Sequence, residues 1–209
     1  MKVYQGVMRH EEGYMNRCSI IVHSVNGNSY IIATYLQELL NGRNVDARLY
    51  RVEDADLHIW ANKADTANDF YEDIQALPVA NDSTLLKSSM VIMGCPTTFG
   101  NVSAEMKTFM DSTYDLMVNR ELAGKYFACF TSCTHSICEG AFCLDSMVHY
   151  SQTMGMVHIP LGIHDTLEWA NQPVSGIVHL AGKENAIRPS KQLGDVLEAY
   201  ADTLAGYLQ

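Results

Sequence analysis

Apolar residues along the chain switch repeatedly between short continuous runs and helical spacing. "CSIIVHS" (18–24) is a compact, β-branched run that reads as a strand. "GNSYIIATYLQELLNGR" (27–43) follows at once, with Ile31, Ile32, Tyr35, Leu36, Leu39 and Leu40 on one helical face and Gly42 as the stop. "NVDARLYRV" (44–52) alternates as a second strand, and "SSMVIMGCP" (88–96) is an apolar run ending in Pro, as a strand buried on both faces reads. "SAEMKTFMDSTYDLM" (103–117) is helical, with Ser103 as N-cap. A fourth strand at "KYFACFTS" (125–132), a helix over about 139–154, a fifth strand at "MVHIPLG" (156–162) and a helix at 190–208 begun by Ser190 complete the series. The stretch 53–87 is weakly patterned apart from a helix near 82–87. Residues 1–17 have no clear period and read as an extension to a domain spanning 18–209. Strands alternating with helices predict an α/β fold, a doubly wound parallel sheet covered on both faces.

Composition narrows the partners. Of the 209 residues 47% are hydrophobic and 18% charged, an ordinary globular balance with one sizeable core. The net charge of −10 repels nucleic acid and anionic membrane surfaces, so neither is expected as a partner. No apolar run approaches membrane-spanning length and the opening residues lack the apolar centre of a secretory signal, so the expected location is cytoplasmic. Six cysteines then read as reduced thiols.

In an open parallel sheet, ligands sit beyond the carboxyl ends of the strands. The loops there read "SVNGNS" (24–29), "PTTFGN" (96–101) and "TSCTHS" (131–136), rich in hydroxyl, amide and glycine groups and without Lys or Arg. The first precedes a helix directly, so its N–H groups and the helix dipole favour an anion. Ser24, Asn26 and Ser29 add side-chain donors, and Gly27 permits close backbone approach. An ordinary capped strand-to-helix turn uses the same residue types. The loop is neither a Walker A sequence nor G-x-G-x-x-G, which disfavours nucleoside triphosphates and dinucleotides.

Together the three loops resemble those of the flavodoxin-like FMN proteins, in particular the WrbA-type NAD(P)H:quinone oxidoreductases. The resemblance covers about residues 18–209. It is carried by "SVNGNS", by "GCPTTFGNVSAEMKTFMD" (94–111), by "GMVHIPLG" (155–162) and by "RPS" (188–190). It implies a five-stranded sheet of order 2-1-3-4-5 binding FMN. The phosphate would lie on Ser24, Asn26, Gly27, Asn28 and Ser29, and the ring against Pro96, Thr97, Thr98, Phe99, Gly100, Asn101, Ser132, Cys133, Thr134 and His135. It implies no catalytic side chain, because the flavin carries the chemistry. NAD(P)H would deliver a hydride and a quinone-like acceptor would remove two electrons. Homodimers or homotetramers are implied as well.

The chain departs from that family in two places. His135, Ile137 and Cys138 stand where the third loop is usually glycine-rich, and Thr153 and Met154 stand where a histidine pair is usual. Trp169 is a candidate cover for the pocket, or a plain hydrophobic contact. Cys133 and Cys138 lie on or just after the third loop, either as redox thiols or as inert small residues, while Cys129 and Cys143 read as core. Neither the cysteines nor the eight histidines show metal-site spacing, so no metal is expected. Two other functions fit the same pattern: an electron-transfer flavodoxin, and a flavodoxin-fold binding or regulatory module without cofactor.

Overall fold

The computed structural model describes residues 16–63, 69–162 and 172–209. Its centre is a parallel sheet built from β1 (Arg17–Val22), β2 (Asp46–Arg51), β3 (Met90–Pro96), β4 (Tyr126–Cys133) and β5 (Val157–His158), in the order β2-β1-β3-β4-β5. A further strand, β6 (Ile177–Leu180), pairs with β4 beyond β5: Phe127 is level with His158, and Phe130 through Cys133 are level with Ile177 through Leu180. The fifth position of the sheet is therefore filled by two short strands. The predicted strand at 156–162 keeps its register only over Val157 and His158, and "IVHL" takes over the carboxyl-end half.

Burial on both sheet faces explains why the strand runs carry few polar residues. Along β3, Met90 and Ile92 face one core while Val91, Met93 and Cys95 face the other. The first core is closed by α1 (Asn28–Asn41) and by the last helix, whose Leu193, Val196, Leu197, Tyr200, Ala201 and Leu204 are buried. The second is closed by α4 (Asp82–Leu86), α5 (Ala104–Ser112) and α7 (Ile137–Thr153). Glycine is required at position 94 within β3 because the ring of its β4 partner Phe130 fills the space of a side chain there; an added Cβ would lie 2.0 Å from that ring.

The stretch 53–87, weakly patterned in sequence, contains the short helices α2 (Leu57–Ala61) and α3 (Tyr71–Ala76) ahead of α4. The helix predicted over 103–117 is two segments, α5 and α6 (Tyr114–Val118), divided at Thr113. The hydroxyl of Thr113 donates to the Met110 carbonyl and meets that of Tyr150 on α7 at 2.9 Å, which anchors the break. Ser190 caps α8 (Lys191–Gly206) as expected, accepting from the Leu193 N–H. Most of the N-terminal extension, and Trp169, lie outside the described residues. Among the described residues no helix is long and apolar enough to cross a membrane.

Candidate functional site

The three loops singled out from sequence meet at the carboxyl edge of the sheet, and hydrogen bonds join them. Ser29 at the start of α1 meets Ser132 at the end of β4, hydroxyl to hydroxyl, at 3.1 Å. The Thr97 N–H donates to the Ser132 carbonyl at 2.7 Å, and the Thr97 and Thr131 hydroxyls are 2.8 Å apart. Loops one, two and three are thus one continuous wall.

In the first loop Gly27 has φ 87°, in the left-handed region that glycine enters without strain. Its face is closed by Phe70, whose ring an added Cβ would meet at 2.2 Å. Ser24, Asn28 and Ser29 are buried, and the Ser24 hydroxyl accepts from the Tyr30 N–H. Among the described residues the N–H groups of 25–29 meet no protein acceptor, as the open end of a helix leaves them. No acidic side chain occupies the first turn of α1. This donor set suits an anion.

The second loop is a tight turn. Thr98 and Asn101 exchange backbone hydrogen bonds of 2.9 and 3.0 Å, and the two residues between them, Phe99 at φ 50° and Gly100 at φ 72°, are both left-handed. Phe99 is 99% exposed, so it is not core. Pro96 ends β3, and the Asn101 side chain accepts from the Val102 N–H.

The third loop joins the wall through Thr131 and Ser132, and its later side chains are engaged otherwise. Cys133 is buried, its thiol donates to the Ser136 carbonyl at 3.1 Å, and burial pushes its pKa up to about 11. That disfavours the reactive thiolate and supports the inert alternative. Thr134 reaches Asn185 at 3.4 Å. The His135 side chain is 84% exposed, 3.9 Å from Glu139, and so stands in solvent rather than filling the loop. Cys138 is exposed, and Cys129 and Cys143 are core. Beneath the second loop the buried Cys95 thiol lies 3.9 Å from that of Cys143.

Behind these loops lies a buried polar cluster that the spacing of residues did not reveal. His23, just after β1, is hydrogen-bonded through Nε2 to Asp54 (3.0 Å) and through Nδ1 to the Ser103 hydroxyl (2.8 Å), with Glu105 at 3.6 Å. Hydrogen bonding to His23 holds the Asp54 carboxyl below the usual carboxylate range. His23, Asp54 and Glu105 could face a common ion, but both ring nitrogens are already engaged by protein groups. Ser103 is 3% exposed, which denies it a substrate. The cluster ties together the chain segments after β1, β2 and β3.

Two further groups reach the first loop, Asn185, which the sequence did not single out, and Arg188, which it marked only within "RPS" and not as a neighbour of this loop. Asn185 accepts from the Asn28 side chain at 3.0 Å, and Arg188 donates to the Asn26 carbonyl and to Asn28 Oδ1. Both follow β6, whose short apolar run between Gly176 and Gly182 was the available signal.

Residues 18–164 match the family model described as NADPH-dependent FMN reductase. The chain belongs to that family. A curated relative, an NAD(P)H dehydrogenase (quinone) of Archaeoglobus fulgidus, is 30% identical over 118 residues, which span 56% of this chain and 62% of the relative. The WrbA-like flavodoxin of Agrobacterium tumefaciens has a similar structure, with a TM-score of 0.64 at 18% identity over 92% of this chain and 97% of that one. A flavodoxin from the domain Archaea gives 0.60 at 18% identity, covering 92% and 98%. At these identities the structural likeness establishes the flavodoxin-like fold.

Proposed function

We propose that the protein is an FMN-dependent oxidoreductase that takes a hydride from NAD(P)H and passes two electrons to a quinone or similar small acceptor. Family membership supports the flavin, and the observation that carries the reading to particular residues is the joined wall of three loops with unpaired N–H donors at the start of α1. Bound FMN would supply the redox chemistry, receiving a hydride and releasing electrons, so the protein needs no nucleophile.

The chain's own part is binding and orientation. Asn26, Gly27, Asn28 and Ser29 present N–H groups to the phosphate, while Ser24 holds the loop by accepting from the Tyr30 N–H. Pro96 through Asn101 flank the ring, with the exposed Phe99 side chain as its apolar neighbour and Thr97 locking this loop to β4. Ser132, Cys133, Thr134 and His135 contribute mainly backbone, and the N–H groups of Thr134 and His135 meet no acceptor among the described residues. Fixed N–H donors of this kind stabilise negative charge where it develops on a reduced ring. Subunits assemble as homodimers or homotetramers in this reading.

The test is titration of ligand-free protein into FMN, followed by steady-state NAD(P)H oxidation with a quinone. Saturable one-to-one quenching of flavin fluorescence and quinone-dependent turnover are expected. Binding without nicotinamide turnover would indicate an electron-transfer flavodoxin instead, and absence of quenching would leave a cofactor-free binding module.

A further inference from the structure

The first loop contains no basic residue, yet a guanidinium is held against it from 160 residues away. Arg188 Nη1 donates to the main-chain carbonyl of Asn26 and to Asn28 Oδ1 at 3.2 Å. Its Nη2 donates to Asp69 at 3.1 Å, and the guanidinium lies 5.1 Å from the Phe70 ring, the same ring that closes the face of Gly27.

Electrostatically this is an awkward place for a cation. The start of α1 carries the positive end of the helix dipole, its first turn has no acid, and the N–H groups of 25–29 meet no acceptor among the described residues. Among the described residues Arg188 pairs with Asp69, which is itself 61% exposed and so well screened by water. Positive potential from two sources converges, and an anion with several oxygens would satisfy both.

The backbone that delivers Arg188 is rigidly specified. Ala181 N–H donates to the Cys133 carbonyl, Ile187 N–H donates back to Ala181, and His179 Nε2 donates to the Ile187 carbonyl at 2.8 Å. Between them Gly182, Glu184 and Asn185 are all left-handed, at φ 66°, 59° and 55°, and Asn185 is tied to Asn28. Non-glycine residues persist in that conformation where the surroundings impose it. Two residues after Arg188, Ser190 caps α8, so the arginine is fixed from both sides.

We propose that Arg188 is the counter-charge for the phosphate monoester of the bound flavin, held before binding by Asp69 and the loop oxygens, and that Asp69 is its competitor. The proposal rests on the FMN reading above and goes beyond it. The family match ends at residue 164, and the resemblance carried by "RPS" gives Arg188 no role of its own. A planar guanidinium can meet two phosphate oxygens at once, which an ammonium cannot. The consequence is selectivity: FMN, which carries the phosphate, should gain from Arg188, whereas riboflavin, which has the same ring and no phosphate, should not.

The experiment compares dissociation constants for FMN and riboflavin, by quenching of flavin fluorescence, in wild type, Arg188→Gln, Arg188→Lys and Asp69→Asn, each first checked for a native circular-dichroism spectrum. Arg188→Gln should weaken FMN by about tenfold or more, the loss of a charge-assisted hydrogen-bonded pair, and leave riboflavin within about twofold. Arg188→Lys should fall between, and Asp69→Asn should tighten FMN alone. Wild-type binding of FMN with equal loss of both flavins in the two arginine variants would make Arg188 a structural residue and overturn the proposal. Unchanged FMN affinity in them would overturn it too. Wild type that binds neither flavin would overturn the cofactor reading itself, and this proposal with it.

Discussion

Phe99 shows how a single residue can be chosen against the local preference of its backbone. Its turn has left-handed conformations at both central positions, the requirement that makes Asn-Gly the favoured pair in a type I′ turn. A bulky residue there costs on the order of 1–2 kcal/mol. With 99% of its surface exposed, the Phe99 side chain recovers little of that by packing within the chain. Strain of this kind is expected where a side chain serves a ligand. Phe99→Asn should therefore raise the unfolding free energy by about 0.5–1 kcal/mol in urea titrations, by relief of backbone strain, while weakening FMN. A fall in stability would mean that the ring is packed in solution, against a second copy of the chain for instance, and would remove the strain argument.

At the scale of elements, the split fifth strand governs the carboxyl-end half of the site. Two histidines pin its connections: His158 donates from Nε2 to the Ser175 carbonyl at 2.9 Å, and His179 donates to Ile187, next to Arg188. Burial lowers the pKa of both, so the fold favours the neutral imidazoles. A histidine lowered in the folded state contributes no penalty above its unfolded value of about 6.5. As pH falls below that value the unfolded chain takes up the protons first, and stability declines until the folded-state values are reached. Urea midpoints should accordingly drop between pH 7 and 5, and the drop should be smaller in His179→Gln and in His158→Gln. An unaltered slope in both variants would assign the acid sensitivity to other groups.

For the whole molecule, the sheet and its two cores bring loops distant in sequence into one wall, and the ligand should return that organisation as stability. A ligand that binds only the folded chain stabilises it in proportion to the logarithm of its concentration, by about 2.7 kcal/mol at one hundred times its dissociation constant. Thermal melts with increasing FMN should shift upward without a plateau once the site is saturated, and riboflavin at equal concentration should shift them less. A melting temperature independent of FMN would contradict the assignment of the three loops to a flavin.

The sequence by itself determined the layered α/β fold, the strand positions up to β4, the loops at the carboxyl edge and the flavin family, because short buried runs, helical spacing and the "PTTFGN" turn are local patterns. "SVNGNS" was legible as a polar, glycine-containing helix start for the same reason, since its donors lie within six consecutive residues. Only the tertiary structure decided that a second short strand completes the fifth position, that His135 points to solvent, and that His23, Asp54 and Ser103 form a buried link. It alone placed Phe70 over Gly27 and Arg188 beside Asn26 and Asn28. Those arrangements depend on contacts between segments 31 to 162 residues apart, made when the chain folds around the sheet, and no periodicity along the chain encodes such distances.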